Sequence, residues 1–139
     1  LRPIVWAACL LGLAACATSV PEPAPPPNPE PSTATTEQPS FVQTGLASWY
    51  GAAHQGRQTA SGERFDQAVM TAAHMTLPLG TLVRVTSLGT GKSIKVRIND
   101  RGPHARGRII DLSAEAAASL DLRQDGGGPV RLEVFASDQ

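Results

Sequence analysis

Apolar and polar residues alternate with a period of two along several stretches of this chain. That spacing places one face of each stretch in a core and the other in solvent, the pattern of half-buried β-strands. Thr81–Thr86 and Lys92–Ile98 alternate most cleanly, and Gly89-Thr90-Gly91 between them suits a turn, so this pair predicts a hairpin. Further strands are predicted at Gly45–Tyr50, Val69–Ala73, Arg108–Leu112 and Val130–Phe135. The alanine-rich run Ala114–Leu120 predicts a short helix, with Ser113 as its cap and Glu115 near its positive end. Gly126-Gly127-Gly128 is expected to be a flexible connection into the last strand. Six short strands and one small helix in so few residues predict a mainly β domain over residues 41–137. Closing the sheet into a barrel would remove its edges.

The pattern changes toward the N-terminus. Ile4–Ala15 is apolar, follows a single basic residue, Arg2, and is too short to span a bilayer comfortably. Leu13-Ala14-Ala15-Cys16 resembles a bacterial lipoprotein signal. Residues 1–15 are therefore expected to be a signal peptide, and Cys16 the lipidated first residue of the mature chain. The chain starts with Leu1 rather than Met, so the basic region is expected to be incomplete. Ala17 follows the cysteine rather than Asp, which favours an outer-membrane lipoprotein with the domain facing the periplasm. Val20–Ser40 is rich in proline and poor in apolar bulk. Such a segment buries too little surface to offset its ordering entropy, so residues 16–40 read as a disordered, semi-stiff tether.

Composition narrows the chemistry. Of the two cysteines, Cys9 lies in the leader and Cys16 in the anchor, so the domain has no thiol for a disulfide, a nucleophile or a metal. Of 12 acidic residues three (Glu22, Glu30, Glu37) lie in the spacer, and of 12 basic residues one (Arg2) precedes it. Residues 41–139 are left with 11 basic and 9 acidic side chains. So weak a bias does not point to nucleic acid. His54, His74 and His104 are too widely spaced to suggest a metal site, and no cofactor is expected.

The strand Ser93–Ile98 runs into Asn99-Asp100-Arg101-Gly102-Pro103, which holds a carboxylate at the rim of a sheet. Ala60-Ser61-Gly62-Glu63 adds a second carboxylate in a small-residue loop. Positioned carboxyl groups of this kind serve polysaccharide cleavage, although loop aspartates also serve as turn-formers. Asp111 is a third candidate, with a plain alternative as a turn carboxylate near a helix start. Asp66 reads as loop-fixing. Trp49 and Tyr50 point to opposite faces of their strand, one inward and one free to stack on a sugar.

Six blocks in one order resemble the rare lipoprotein A family. They are Ala47–Gly51, Thr59–Asp66, Thr71–His74, Thr76–Thr81, Val96–Pro103 and Gly107–Ser113, and the resemblance covers essentially residues 45–136. It implies a six-stranded double-psi β-barrel with one or two short helices, related to expansins. It also implies endolytic lytic transglycosylase activity on peptidoglycan. That activity cuts MurNAc–GlcNAc β-1,4 bonds with 1,6-anhydro-MurNAc formation, on glycan strands lacking stem peptides. The family's functional positions match Glu63, His74 and Asp100. Trp49, Tyr50, Arg101, His104 and Asp111 are the candidate substrate contacts. Position 104 is His where the family commonly has Phe or Tyr. The chain ends at Gln139 without the C-terminal glycan-binding SPOR domain of many members, so septal targeting by that route is not expected.

Asp100 is the first candidate for the acid/base, with Glu63 supporting; the reverse order is equally open. Arg101 either lowers the Asp100 pKa by facing it, points away, or contacts substrate. His74 is expected to orient Glu63 or Asp100 through a ring N–H. Three readings compete. The first is a monomeric, membrane-anchored enzyme acting on glycan strands. The second is an expansin-like barrel that grips peptidoglycan without cutting it. The third is a tether for another wall protein.

Overall fold

The computed structural model describes Gly12 and residues 37–139. The leader, Cys16 and most of the Pro-rich spacer lie outside the described residues.

Six strands close into a barrel: β1 (Phe41–Tyr50), β2 (Thr71–Ala73), β3 (Leu82–Ser87), β4 (Ser93–Asp100), β5 (Arg108–Ser113) and β6 (Gly127–Val134). Around the barrel the order is β1-β5-β2-β4-β3-β6. Two pairs, β1–β5 and β2–β4, are parallel and the rest antiparallel. This is the double-psi arrangement that the resemblance implies. The predicted hairpin is β3–β4, in register from Leu82↔Arg97 to Thr86↔Ser93. The core is the inward half of each alternation: Val83, Val85, Val96, Ile98, Ile110, Leu112, Val130, Leu132 and Val134 are all essentially buried. Each such side chain contributes roughly 1.5–3 kcal/mol by leaving water.

The helix α1 spans Ala114–Ser119, and its Ala116 N–H donates to Ser113 Oγ at 3.3 Å, so Ser113 caps it as predicted. Ala116 and Ala117 are fully buried, which lets this short helix lie close to the sheet. Two single 3-10 turns, Ala52–His54 and Ala136–Asp138, carry no periodic signal, so the sequence pattern does not place them.

One expectation fails. Gly127 and Gly128 are not a flexible connection but the start of β6, paired with Ser48 and Ala47 of β1. Gly127 has φ +141, and a Cβ built on it would lie 2.0 Å from the Ala47 carbonyl oxygen. A glycine is needed there because two backbones approach too closely for any side chain.

Register brings together residues far apart in sequence. Asp100 of β4 pairs with Ala73 of β2, Ala73 with Asp111 of β5, Asp111 with Ser48 of β1, and Ser48 with Gly127 of β6. Paired residues share a face, so these five form one row across five adjacent strands.

Candidate active site

At one end of this row is a cavity of about 320 Å³, lined by Asp100, Asp111, Tyr50, His54, His104 and Arg101, with Phe65, Thr59 and Ala73 among its walls. Asp100 and Asp111 are two strands apart with Ala73 between them. At about 4.8 Å per strand their backbones are roughly 10 Å apart, and both side chains reach the same cavity.

Asp100 is the final residue of β4. Its Oδ1 accepts the backbone N–H of Ala60 at 2.9 Å and of Arg101 at 2.8 Å. Both bonds fall on one oxygen, and among the described residues Oδ2 takes none. The carboxylate is thus oriented by backbone through one oxygen. Ala60 reaches it because the Thr59–Glu63 turn is pinned to the strand end. Ser61 N–H donates to Asn99 O at 3.0 Å, and Thr59 N–H to Glu63 O at 2.8 Å.

Arg101 does not face Asp100. Its Nη1 donates to His74 O at 3.0 Å and to Leu77 O at 2.7 Å, so the guanidinium clasps the 74–77 loop, and Arg101 is among the residues lining the cavity. Asp111 Oδ1 accepts the Ser48 hydroxyl and lies 3.7 Å from Arg108 Nη1. Asp111 thus sits on the cavity wall, within a β-strand rather than in a turn.

Tyr50 lies on the same wall, with its ring 4.6 Å from that of Phe65 and 5.2 Å from that of His54. Its hydroxyl is buried without a hydrogen-bond partner. Burial first, then the negative charges of Asp100 and Asp111, push its pKa well above the ordinary value. The phenol therefore keeps its proton and has a donor to offer beside two carboxylates.

Glu63 lies outside this cavity. It forms a two-point pair with Arg97, Nη1–Oε1 at 2.8 Å and Nη2–Oε2 at 3.2 Å. Bonding from Arg97, then from Asn99, holds its carboxyl below the ordinary carboxylate value. His74 is buried, and neither ring nitrogen faces Glu63 or the Asp100 carboxylate. Nδ1 accepts the backbone N–H of Thr76 at 3.2 Å and of Leu77 at 3.1 Å, so the proton is on Nε2, which donates to Gln43 Oε1 at 2.9 Å. Burial, then the charge of Arg101, lowers its pKa and keeps it neutral. Its tie to Asp100 is through backbone, His74 N–H to Asp100 O at 3.2 Å.

Trp49 is parted from Tyr50. It is half-buried against the core, with the Arg123 guanidinium 5.2 Å over its ring, beside a separate cavity. Asp66 Oδ1 accepts the Ala68 N–H, a loop-fixing bond as expected. Sequence reasoning missed His54 and Phe65 in the cavity, and Arg97 and Arg108 as the cations beside the carboxylates. His54 is folded back over Tyr50 by a 3-10 turn, which leaves no periodic trace. Among the described residues no cluster of His, Cys, Asp and Glu could hold a metal.

Comparison with known proteins places the chain in a family. Residues 42–132 match the family model described as lytic transglycolase. A Synechocystis protein named "Probable endolytic peptidoglycan transglycosylase RlpA" is 55% identical over 93 residues, which cover 67% of this chain and 29% of that protein. The Neisseria meningitidis "Endolytic peptidoglycan transglycosylase RlpA" is 47% identical over 107 residues, covering 77% of this chain and 45% of that one. The chain thus matches less than half the length of either relative. Among solved structures, the Streptomyces papain inhibitor overlays with a TM-score of 0.56 at 23% identity, covering 70% of this chain and 96% of that one, a likeness of fold alone. With most of its barrel inside the matched segment, this chain belongs to the lytic transglycolase family.

Proposed function

We propose that this protein is an endolytic peptidoglycan lytic transglycosylase and that Asp100 is its acid/base. The observation that carries this reading is the Asp100 carboxylate on the cavity wall, fixed through Oδ1 by two backbone amides while Oδ2 has no hydrogen-bond partner among the described residues. Protonated at Oδ2, Asp100 gives its proton to the glycosidic oxygen as the MurNAc C1–O bond breaks. The resulting carboxylate then takes the proton of the muramyl C6 hydroxyl, whose oxygen bonds to C1 and closes the 1,6-anhydro ring. One carboxyl group performs both transfers, and water is not consumed. Asp111 on the same wall faces the positive charge that develops at C1. The Tyr50 phenol, held protonated, donates a hydrogen bond to the sugar. Glu63, held as a carboxylate by Arg97, is ill-suited to be the acid, and supports the turn that presents Ala60 N–H to Asp100. His74 and Arg101 brace the 74–77 loop against the strand end.

The relatives' printed names support peptidoglycan as the substrate. The resemblance in sequence supports glycan stripped of stem peptides as the form it acts on. We further propose that Cys16 carries a lipid that anchors the chain at the outer membrane. A Cys16→Ser variant should then leave the membrane fraction.

The direct test is mass spectrometry of soluble products after incubation of the full chain with sacculi and with stripped glycan. Products ending in 1,6-anhydro-MurNAc are expected. Reducing ends alone would make it a hydrolase. Pelleting with glycan without release of product would make it a binding barrel.

A further inference from the structure

The row that carries Asp100 and Asp111 does not stop at the cavity. Beyond Asp111 it continues through Ser48 to Gly127, and these two line a second cavity of about 340 Å³ with Arg108, Asp125, Gly126 and Gly128. The walls of the two cavities are linked: Asp111 lines the first, Ser48 and Arg108 line the second, and the three are joined by hydrogen bond and charge. From Asp100 to Gly127 the row makes four interstrand steps, roughly 19 Å along the curved sheet at about 4.8 Å per step. Three of the residues lining the second cavity, Gly126, Gly127 and Gly128, carry no side chain, which lets a flat ligand lie close to the backbone there.

Arg108 is unlike the other arginines bonded near the site. Arg97 is spent on a two-point pair with Glu63, and Arg101 on two carbonyl oxygens. Arg108 gives Nη1 to the neutral Ser48 hydroxyl at 2.7 Å, and its nearest carboxylate oxygen, on Asp111, is 3.7 Å away, beyond hydrogen-bond reach. Its side chain is 39% exposed and is the only cation among the residues lining the second cavity. The remaining N–H groups of the guanidinium fork are free of partners among the described residues, and they match the geometry of a carboxylate. Asp125, an acceptor, suits a sugar hydroxyl on the same ligand.

We infer that the second cavity is a sugar subsite in which Arg108 recognises a free carboxylate, the lactyl group of a muramyl residue whose stem peptide has been removed. This rests on the glycan reading above and adds to it a specificity-determining residue. The Ser48 bond holds Nη1 in place, and the lactyl carboxylate takes the rest of the fork. An amide at that position would meet a cation it cannot neutralise.

The test is a binding cycle in the full chain carrying Asp100→Asn, which separates binding from cleavage. Two glycans are compared: stripped strands, and the same strands with lactyl carboxylates converted to simple amides. The Asp100→Asn protein should bind the free-carboxylate strands roughly ten- to a hundredfold more tightly than the amidated ones, the range of a lost charge-assisted bond. Adding Arg108→Gln should erase that difference, and Arg108→Lys should restore part of it. Melting curves identify any variant that has unfolded, and the lysine variant then decides. Equal preference with and without Arg108 would overturn the inference, as would its loss in Arg57→Gln, a second cation, at the cleavage cavity. Failure of the activity reading shows separately, as wild-type protein that yields no 1,6-anhydro ends from either glycan.

Discussion

Replacing Gly127 by alanine tests the closure of the barrel between β6 and β1. A Cβ there would lie 2.0 Å from the Ala47 carbonyl oxygen and 3.1 Å from Ser48 Cα, all backbone that no rotamer change can move. Overpacking of this kind costs about 1–3 kcal/mol, and holding a non-glycine residue at φ +141 costs about 1–3 kcal/mol more. The sum, about 2–6 kcal/mol, is a large part of the stability of a small domain. At roughly 4–8 °C per kcal/mol, the melting temperature should fall by about 10 °C or more. The neighbours give the contrast. At Gly128 a Cβ would meet only Leu122 Cδ2 at 3.0 Å, the end of a side chain that can turn aside, and at Gly126 it would meet nothing within 4 Å. Gly128→Ala and Gly126→Ala should therefore each cost about 1–2 kcal/mol at most. The assay is thermal unfolding of the three variants by circular dichroism. A flexible connection would make all three alike, and a Gly127→Ala variant melting within a degree or two of wild type would refute the argument.

Asp100→Asn should lower turnover by about 10²–10⁴-fold and keep the fold, because the amide oxygen can still accept from Ala60 and Arg101; normal turnover in a folded variant would remove Asp100 from the mechanism. Tyr50→Phe removes a buried hydroxyl that has no partner, so melting should be unchanged or slightly higher, while turnover falls by about 10²-fold if the phenol is a donor to the sugar; an equal loss of both would make the hydroxyl structural. His74 has a folded pKa below its ordinary 6.5, so below pH 6.5 the unfolded chain takes the proton first. Stability should therefore be full above 6.5, fall as pH drops below it, and level off once the folded ring protonates as well. A His74→Gln variant should lose that part of the pH slope in denaturant titrations, and an unchanged slope would exclude His74 as its source. Glu63 has a depressed folded pKa, so its pairing with Arg97 should stabilise above its ordinary 4.5 and fade as pH falls through the lower folded value; Glu63→Gln should flatten the acid limb of the same titration.

Local pattern determined much of this protein. Alternation placed the hairpin β3–β4, the residues of the core and the strand end that carries Asp100. Ser113 marked the start of α1, and the small-residue turn marked the loop that grips Asp100. These features were legible because each depends on residues within a few positions of one another. The tertiary structure decided the rest. Arg101 adjoins Asp100 in sequence yet turns to the 74–77 loop, because two carbonyls there need a donor. Glu63 finds its partner in Arg97, 34 residues away. Trp49 and Tyr50 are neighbours in the chain and belong to different cavities. The Gly126–Gly128 run reads as loose because glycine is permissive, and only the approach of Ala47 shows that Gly127 is required. The row from Asp100 to Gly127 exists because β4, β2, β5, β1 and β6, far apart in sequence, are hydrogen-bonded side by side in a closed barrel. Its register is set by the packing of the buried faces across strands, a long-range condition that no window of the sequence contains.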